Sequence, residues 1–131
     1  IALHRLLQQY QAERVIFDSR ALFSVPATDA AIAHAQSKKP RLPVHAISLS
    51  QTPMLRFIGL DDMEINRHFY QPWLTKIKQW LDEGKSPYCF FHTPDNILAP
   101  ELCRQFAEDL HYPHSCNDPW PAEQQSQPGL F

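Results

Sequence analysis

Four residues able to bind anions or move protons stand within or just past short apolar runs. Asp18 closes Val15-Ile-Phe-Asp18, and Arg20 follows two positions later. Arg56 interrupts Met54-Leu-Arg-Phe-Ile58, and His92 closes Tyr88-Cys-Phe-Phe-His92. A charged group in a buried strand needs a partner or a cavity. Side chains alternate across a strand, so Asp18 goes with Ile16, Arg56 with Met54 and Ile58, and His92 with Tyr88 and Phe90. With those faces all directed inward, Asp18, Arg56 and His92 converge from neighbouring strands. Asp18 would then orient Arg56, whose fork would hold a phosphate or carboxylate. His92 would transfer a proton near neutral pH, and Arg20 would give a second anion contact. The competing reading is a structural polar layer: Asp18 neutralises Arg56, His92 bonds to backbone, and Arg20 caps a surface loop.

Other clusters carry weaker patterns. Asp61, Asp62, Glu64 and Asn66 offer hard oxygen ligands, but in no calcium-loop spacing; starting a helix is the simpler role for an aspartate there. His111, His114 and Cys116 supply three zinc-type ligands in a short span. Neither set is assigned a metal, and no cofactor is identified. Cys89 lies in an apolar strand and reads as an inert thiol. At the C-terminus, Gln127-Pro-Gly-Leu-Phe131 resembles the Gln-x-x-Leu-Phe peptide by which bacterial proteins dock on the replication sliding clamp. Gln127 would bond at the pocket rim while Leu130 and Phe131 anchor. Pro128 and Gly129 depart from the usual middle of that peptide.

The elements that position these residues follow from periodicity. Leu3, Leu6, Leu7 and Tyr10 form a helical stripe, with the first helix expected to reach about Glu13. Strands are expected over Arg14–Ser19, Met54–Ile58 and Pro87–His92. Thr28 and Asp29 suit the start of a short helix that Pro40 ends. Val44–Ile47 is a further extended candidate. Phe69, Trp73, Ile77 and Trp80/Leu81 share one face of a long helix, with Gly84 just past its end. Pro100 fits the first turn of a last helix whose inner stripe is Leu102, Phe106 and Leu110. Strands alternating with helices imply a parallel sheet with right-handed crossovers. Residues 1–111 make this unit; residues 112–131, rich in Pro and Gln, read as an extended or disordered tail.

The bulk numbers narrow the function classes. The chain has 131 residues and a formal net charge of −2, without the basic patch of a general nucleic-acid binder. No apolar run approaches the ~20 residues of a membrane span. Three cysteines without framework spacing fit reduced thiols, hence a cytoplasmic location. The chain opens inside a helix at Ile1, which reads as a fragment of a longer protein.

From Arg14 to Leu110 the sequence resembles the DUF72, or YecE-like, family of uncharacterised bacterial proteins. The residues that carry this are Val15-Ile-Phe-Asp-Ser-Arg20, Lys38-Lys-Pro-Arg-Leu-Pro-Val-His45 and Leu55-Arg-Phe-Ile-Gly59, then Trp73 and Trp80, Phe90-Phe-His-Thr-Pro-Asp95 and Ala99-Pro-Glu-Leu102. The resemblance implies an α/β fold: the C-terminal part of a TIM (β/α)8 barrel, with three or four parallel strands and crossover helices. Where many members carry Asn-type residues after the last strand, this chain reads His92-Thr-Pro-Asp95. No activity comes with the resemblance. Barrel analogy places a small anionic-ligand site, or a hydrolase or lyase site for a phosphorylated or carbohydrate-like substrate, at the strand C-terminal ends. The alternative is an adaptor that uses its tail to reach the sliding clamp. Open sheet edges also point to self-association of the fragment.

Overall fold

Three short strands, β1 (Val15–Asp18), β2 (Met54–Ile58) and β3 (Tyr88–His92), pair in the order β1-β2-β3. Both pairings are parallel. The computed structural model describes residues 2–113. Its helices are α1 (Ala2–Gln9), α2 (Ala30–Lys38), α3 (Met63–Asp82) and α4 (Ala99–Leu110). The architecture is α/β, as the alternation of elements implies. The candidate strand at Val44–Ile47 does not form; residues 39–53 carry neither helix nor strand. The first crossover thus returns to the sheet as extended chain after α2.

One face of the sheet is closed by α3 and α4. Ile16, Leu55 and Phe57 pack there with Tyr70, Trp73, Ile77 and Trp80 of α3 and with Leu102 and Phe106 of α4. The rings lock edge on: Phe57 meets Tyr70 at 6.1 Å between centroids and Tyr70 meets Phe106 at 5.0 Å, the geometry that ring quadrupoles favour. The inner face of α3 is shifted from the expected stripe. Tyr70 and Leu74 are buried, whereas Leu81 is 42% exposed. This burial holds α3 continuous through Pro72, although an interior proline costs ~3 kcal/mol.

The helix ends follow side-chain chemistry. Asp29 Oδ1 accepts from the Ile32 N–H and caps α2. Asp62 Oδ1 accepts from the N–H groups of Glu64 and Ile65 and caps α3. At the other end of α3, Gly84 sits at φ +81°. Its N–H reaches the Leu81 carbonyl while the Lys85 N–H reaches that of Trp80, a Schellman ending that suits glycine.

The opposite sheet face carries Val15, Phe17, Met54, Arg56, Ile58, Tyr88, Phe90 and His92, because Phe17, Arg56 and Phe90 stand in register. Near the strand C-termini α2 closes over it: Ala35 and Ile32 pack with Leu22, Ile58, Leu60 and Phe17. Toward the other end the face is open, with Val15, Tyr88 and Phe90 each more than 40% exposed. α1 is shorter than the expected helix. It ends at Gln9, followed by Gln11 at φ 55°, and buries none of its residues. Its stripe stays in solvent, with Leu6 52% exposed.

Candidate functional site

The register separates the residues that parity alone had brought together. Asp18 pairs with Phe57, so its side chain lies on the α3 face; Arg56 pairs with Phe17 and Phe90 on the other. Asp18 therefore neither orients Arg56 nor faces His92. The residues of β1 on the Arg56 face are Val15 and Phe17. The physical reason is what the carboxylate finds. Asp18 is fully buried and accepts from four donors. These are the Arg20 backbone N–H at 3.1 Å, Arg20 Nε at 2.9 Å and Nη2 at 2.8 Å, and Trp73 Nε1 at 2.7 Å. That is a bidentate arginine pair plus an indole, enough to satisfy a buried carboxylate. The hydrogen bond to Asp18 also raises the Arg20 pKa. Arg20 is thus the partner of Asp18 and makes no pair with Arg56.

Arg56, in the middle of β2, and His92, at the end of β3, remain together on one face. Arg56 Nε donates to His92 Nε2 at 3.4 Å, and its guanidinium carbon lies 5.3 Å from the centre of the Phe17 ring. Among the described residues no carboxylate forms an ion pair with Arg56. Burial first, then the charges of Arg56 and Lys39, hold the His92 imidazole below its ordinary value of 6.5; a hydrogen bond that His92 donates to Asn96 acts the other way. Lys39 caps the end of α2 and Asn96 follows β3 at φ 65°. Neither was singled out by strand patterns, because both lie in connections. The Asn96 signal was nonetheless near, one residue past His92-Thr-Pro-Asp95.

The acidic loop after β2 has structural employment. Asp62 caps α3. Asn66 is fully buried and clasps Leu60, with Oδ1 accepting from the Leu60 N–H and Nδ2 donating to the Leu60 carbonyl, both at 2.7 Å. Gly59 makes room for that clasp, since a Cβ there would stand 2.7 Å from Asn66 Oδ1. Asp61 keeps a raised pKa, through burial first and then Asp95 and Asp29. Among the described residues, no group of three or more His, Cys, Asp or Glu side chains is placed to hold a metal ion. His111 belongs to the end of α4; His114 and Cys116, and the tail residues Gln127, Leu130 and Phe131, lie outside the described residues. Burial pushes the Cys89 thiol up to about 12, which fits an inert side chain.

No helix among the described residues is long and apolar enough to cross a membrane. The comparisons with known proteins agree with one another. The family model described as "Protein of unknown function DUF72" matches residues 2–125. UPF0759 protein YecE of Escherichia coli strain K12 is 47% identical over 108 residues, which is 82% of this chain and 39% of that protein. Its counterpart in Escherichia coli O157:H7 is 46% identical over the same shares. The chain therefore spans well under half the length of the curated relatives it matches. No solved structure matches it. With a family model covering nearly all of its length, the chain belongs to the DUF72 family.

Proposed function

We propose that this chain is the C-terminal part of a (β/α)8 barrel, and that Arg56 binds a small anionic ligand at the C-terminal ends of β2 and β3. The observation that carries this is the state of Arg56: a half-buried guanidinium in a strand, without a carboxylate partner among the described residues. Such a cation is costly to leave alone and is satisfied by a bound anion. Its Nε is turned to His92 and its face to Phe17, so both terminal nitrogens can make a bidentate contact. Lys39 adds positive charge from the end of α2.

The parallel sheet with α3 and α4 on one face supports the barrel reading, as does the opposite face, which carries Arg56 and is covered by α2 only near the strand C-termini. In a barrel that face is the interior, and the longer relatives have the additional chain to enclose it. A hydrolase or lyase reaction fits the same parts, with neutral His92 accepting a proton from substrate. Asp18 takes no direct part in it.

The test uses a protein of the relatives' full length that carries this segment. Phosphorylated and carboxylated small molecules should raise its Tm, and Arg56→Gln should remove that rise. Equal shifts in both proteins reject Arg56 as the anion contact.

A further inference from the structure

A second cationic hollow lies behind the first loop, on a part of the molecule that the Arg56 site does not use. It is a cavity of about 320 Å³ lined by Ser19, Arg20, Phe23, Ser24, Arg41 and Phe69 among others. We propose that it binds a nucleotide-sized ligand, with a phosphate between Arg20 and Arg41 and an aromatic base stacked on their guanidinium planes.

Three separate segments build it: the loop after β1, the connection after α2, and α3. Among the described residues no acidic side chain lines it. Arg20 is held in place before any ligand arrives. Its Nε and Nη2 bind Asp18, and Nη2 also donates to the Phe69 carbonyl at 3.1 Å. A guanidinium has five N–H donors; these bonds occupy Nε and Nη2 and leave the two on Nη1. The side chain is still 42% exposed. Arg41 reaches the cavity from the other side and forms no ion pair among the described residues. Asp18 already balances Arg20, so Arg41 supplies the net positive charge.

The aromatic part follows from how the arginines lie. Arg20 sits over the Phe69 ring and Arg41 over the Phe23 ring, each 5.8 Å from the ring centre. Each guanidinium is backed by a ring on one side and can take a planar group on the other, a mode that nucleic-acid binders use for bases. The Ser24 hydroxyl donates to the Ala21 carbonyl and keeps lone pairs that can accept from a ribose hydroxyl, while the buried Ser19 hydroxyl fixes the Pro40 carbonyl behind the cavity. The volume falls at the lower end of the ~300–1,000 Å³ of small-molecule sites.

The probe is adenosine monophosphate, added to the 131-residue chain. Its affinity is measured by calorimetry, and its place by NMR of the arginine Nε–H resonances. Binding should be saturable and perturb Arg20 and Arg41. Arg41→Gln should weaken it about tenfold, and Arg41→Lys by less, because charge remains while the planar stack is lost. Perturbation of the Arg20 and Arg41 resonances separates this site from the one on the sheet face. No saturation at millimolar nucleotide overturns the proposal. So does equal binding by the Arg41→Gln protein, or perturbation confined to Arg56 and His92. Inorganic phosphate binding as tightly as the nucleotide overturns the role of the base.

Discussion

Arg56 and His92 are tied across adjacent strands by one long hydrogen bond, Nε to Nε2 at 3.4 Å, and that bond sets a condition on the proton. Nε2 can accept only while His92 is neutral, with its hydrogen on Nδ1. The pair is thus a fixed cation beside a base held unprotonated. A ligand anion entering next to Arg56 reduces the positive field at His92 and makes it more basic. Anion binding there would therefore be coupled to proton uptake by the same contact.

The first prediction concerns the imidazole alone. In the folded chain His92 should titrate below the ordinary histidine value of 6.5, because burial, Arg56 and Lys39 all disfavour its charged form. The unfolded chain then binds the proton more readily than the folded one. His92 therefore favours folding fully above pH ~6.5, and that contribution is lost as pH falls through the lower folded value. Arg56→Gln removes one cause and should move the midpoint upward. Histidine NMR titration reads both; a midpoint that stays where it was in the Arg56→Gln protein rejects the electrostatic coupling.

The second prediction concerns the turn out of β2. A Cβ on Gly59 would stand 2.7 Å from Asn66 Oδ1 and 2.9 Å from Leu102 Cδ2. Both neighbours are buried and engaged, so neither yields without cost. Gly59→Ala should destabilise the chain by ~1–3 kcal/mol in urea unfolding, the usual range for overpacking. In an Asn66→Ala background, where the clasp on Leu60 is already broken, the same change should cost clearly less. Full additivity would mean that the glycine is needed for another reason.

How much of this was legible beforehand depended on the range of the interaction. The strands at Met54–Ile58 and Tyr88–His92 and the long helix through Trp73 and Trp80 follow from local patterns; the strands formed within a residue of expectation, while the helix begins well ahead of its apolar stripe, at Met63. Within a strand, the period of two correctly placed Asp18 beside Ile16 and Arg56 beside Ile58. It cannot say which face of one strand matches which face of the next, since one step of register reverses the answer. The deciding contact for Asp18 comes partly from Trp73, 55 residues away. The stripe on α1 shows the reverse problem. Leu3, Leu6 and Tyr10 have a helical period, but burial needs a surface to pack on, and none among the described residues covers them.

A third prediction tests the thiol of β3. Cys89 is held up at about 12, mainly by burial, so at pH 8 almost none of it is thiolate. Alkylation by iodoacetamide should be far slower at Cys89 in the folded chain than in urea, as read by peptide mass spectrometry. Equal rates would show that the side chain is open to solvent and its thiolate accessible.

The last prediction separates the two arginines by what each neutralises. Arg20 satisfies a carboxylate that is fully buried and also bound by Trp73. Asp18→Asn removes the charge on which those donors converge, and Arg20→Gln strands the carboxylate. Arg20→Gln, which leaves a buried carboxylate unpaired, should cost ~3 kcal/mol or more in urea unfolding at neutral pH; Asp18→Asn should cost less, because the arginine it frees is part-exposed. Arg56 has no such debt to discharge: among the described residues no carboxylate depends on it. Arg56→Gln should leave stability within ~1 kcal/mol of the parent chain, or improve it slightly, because a costly cation leaves the sheet face. A loss from Arg56→Gln as large as that from Arg20→Gln would show that Arg56 is a structural ion, and would remove the main reason for placing a ligand beside it.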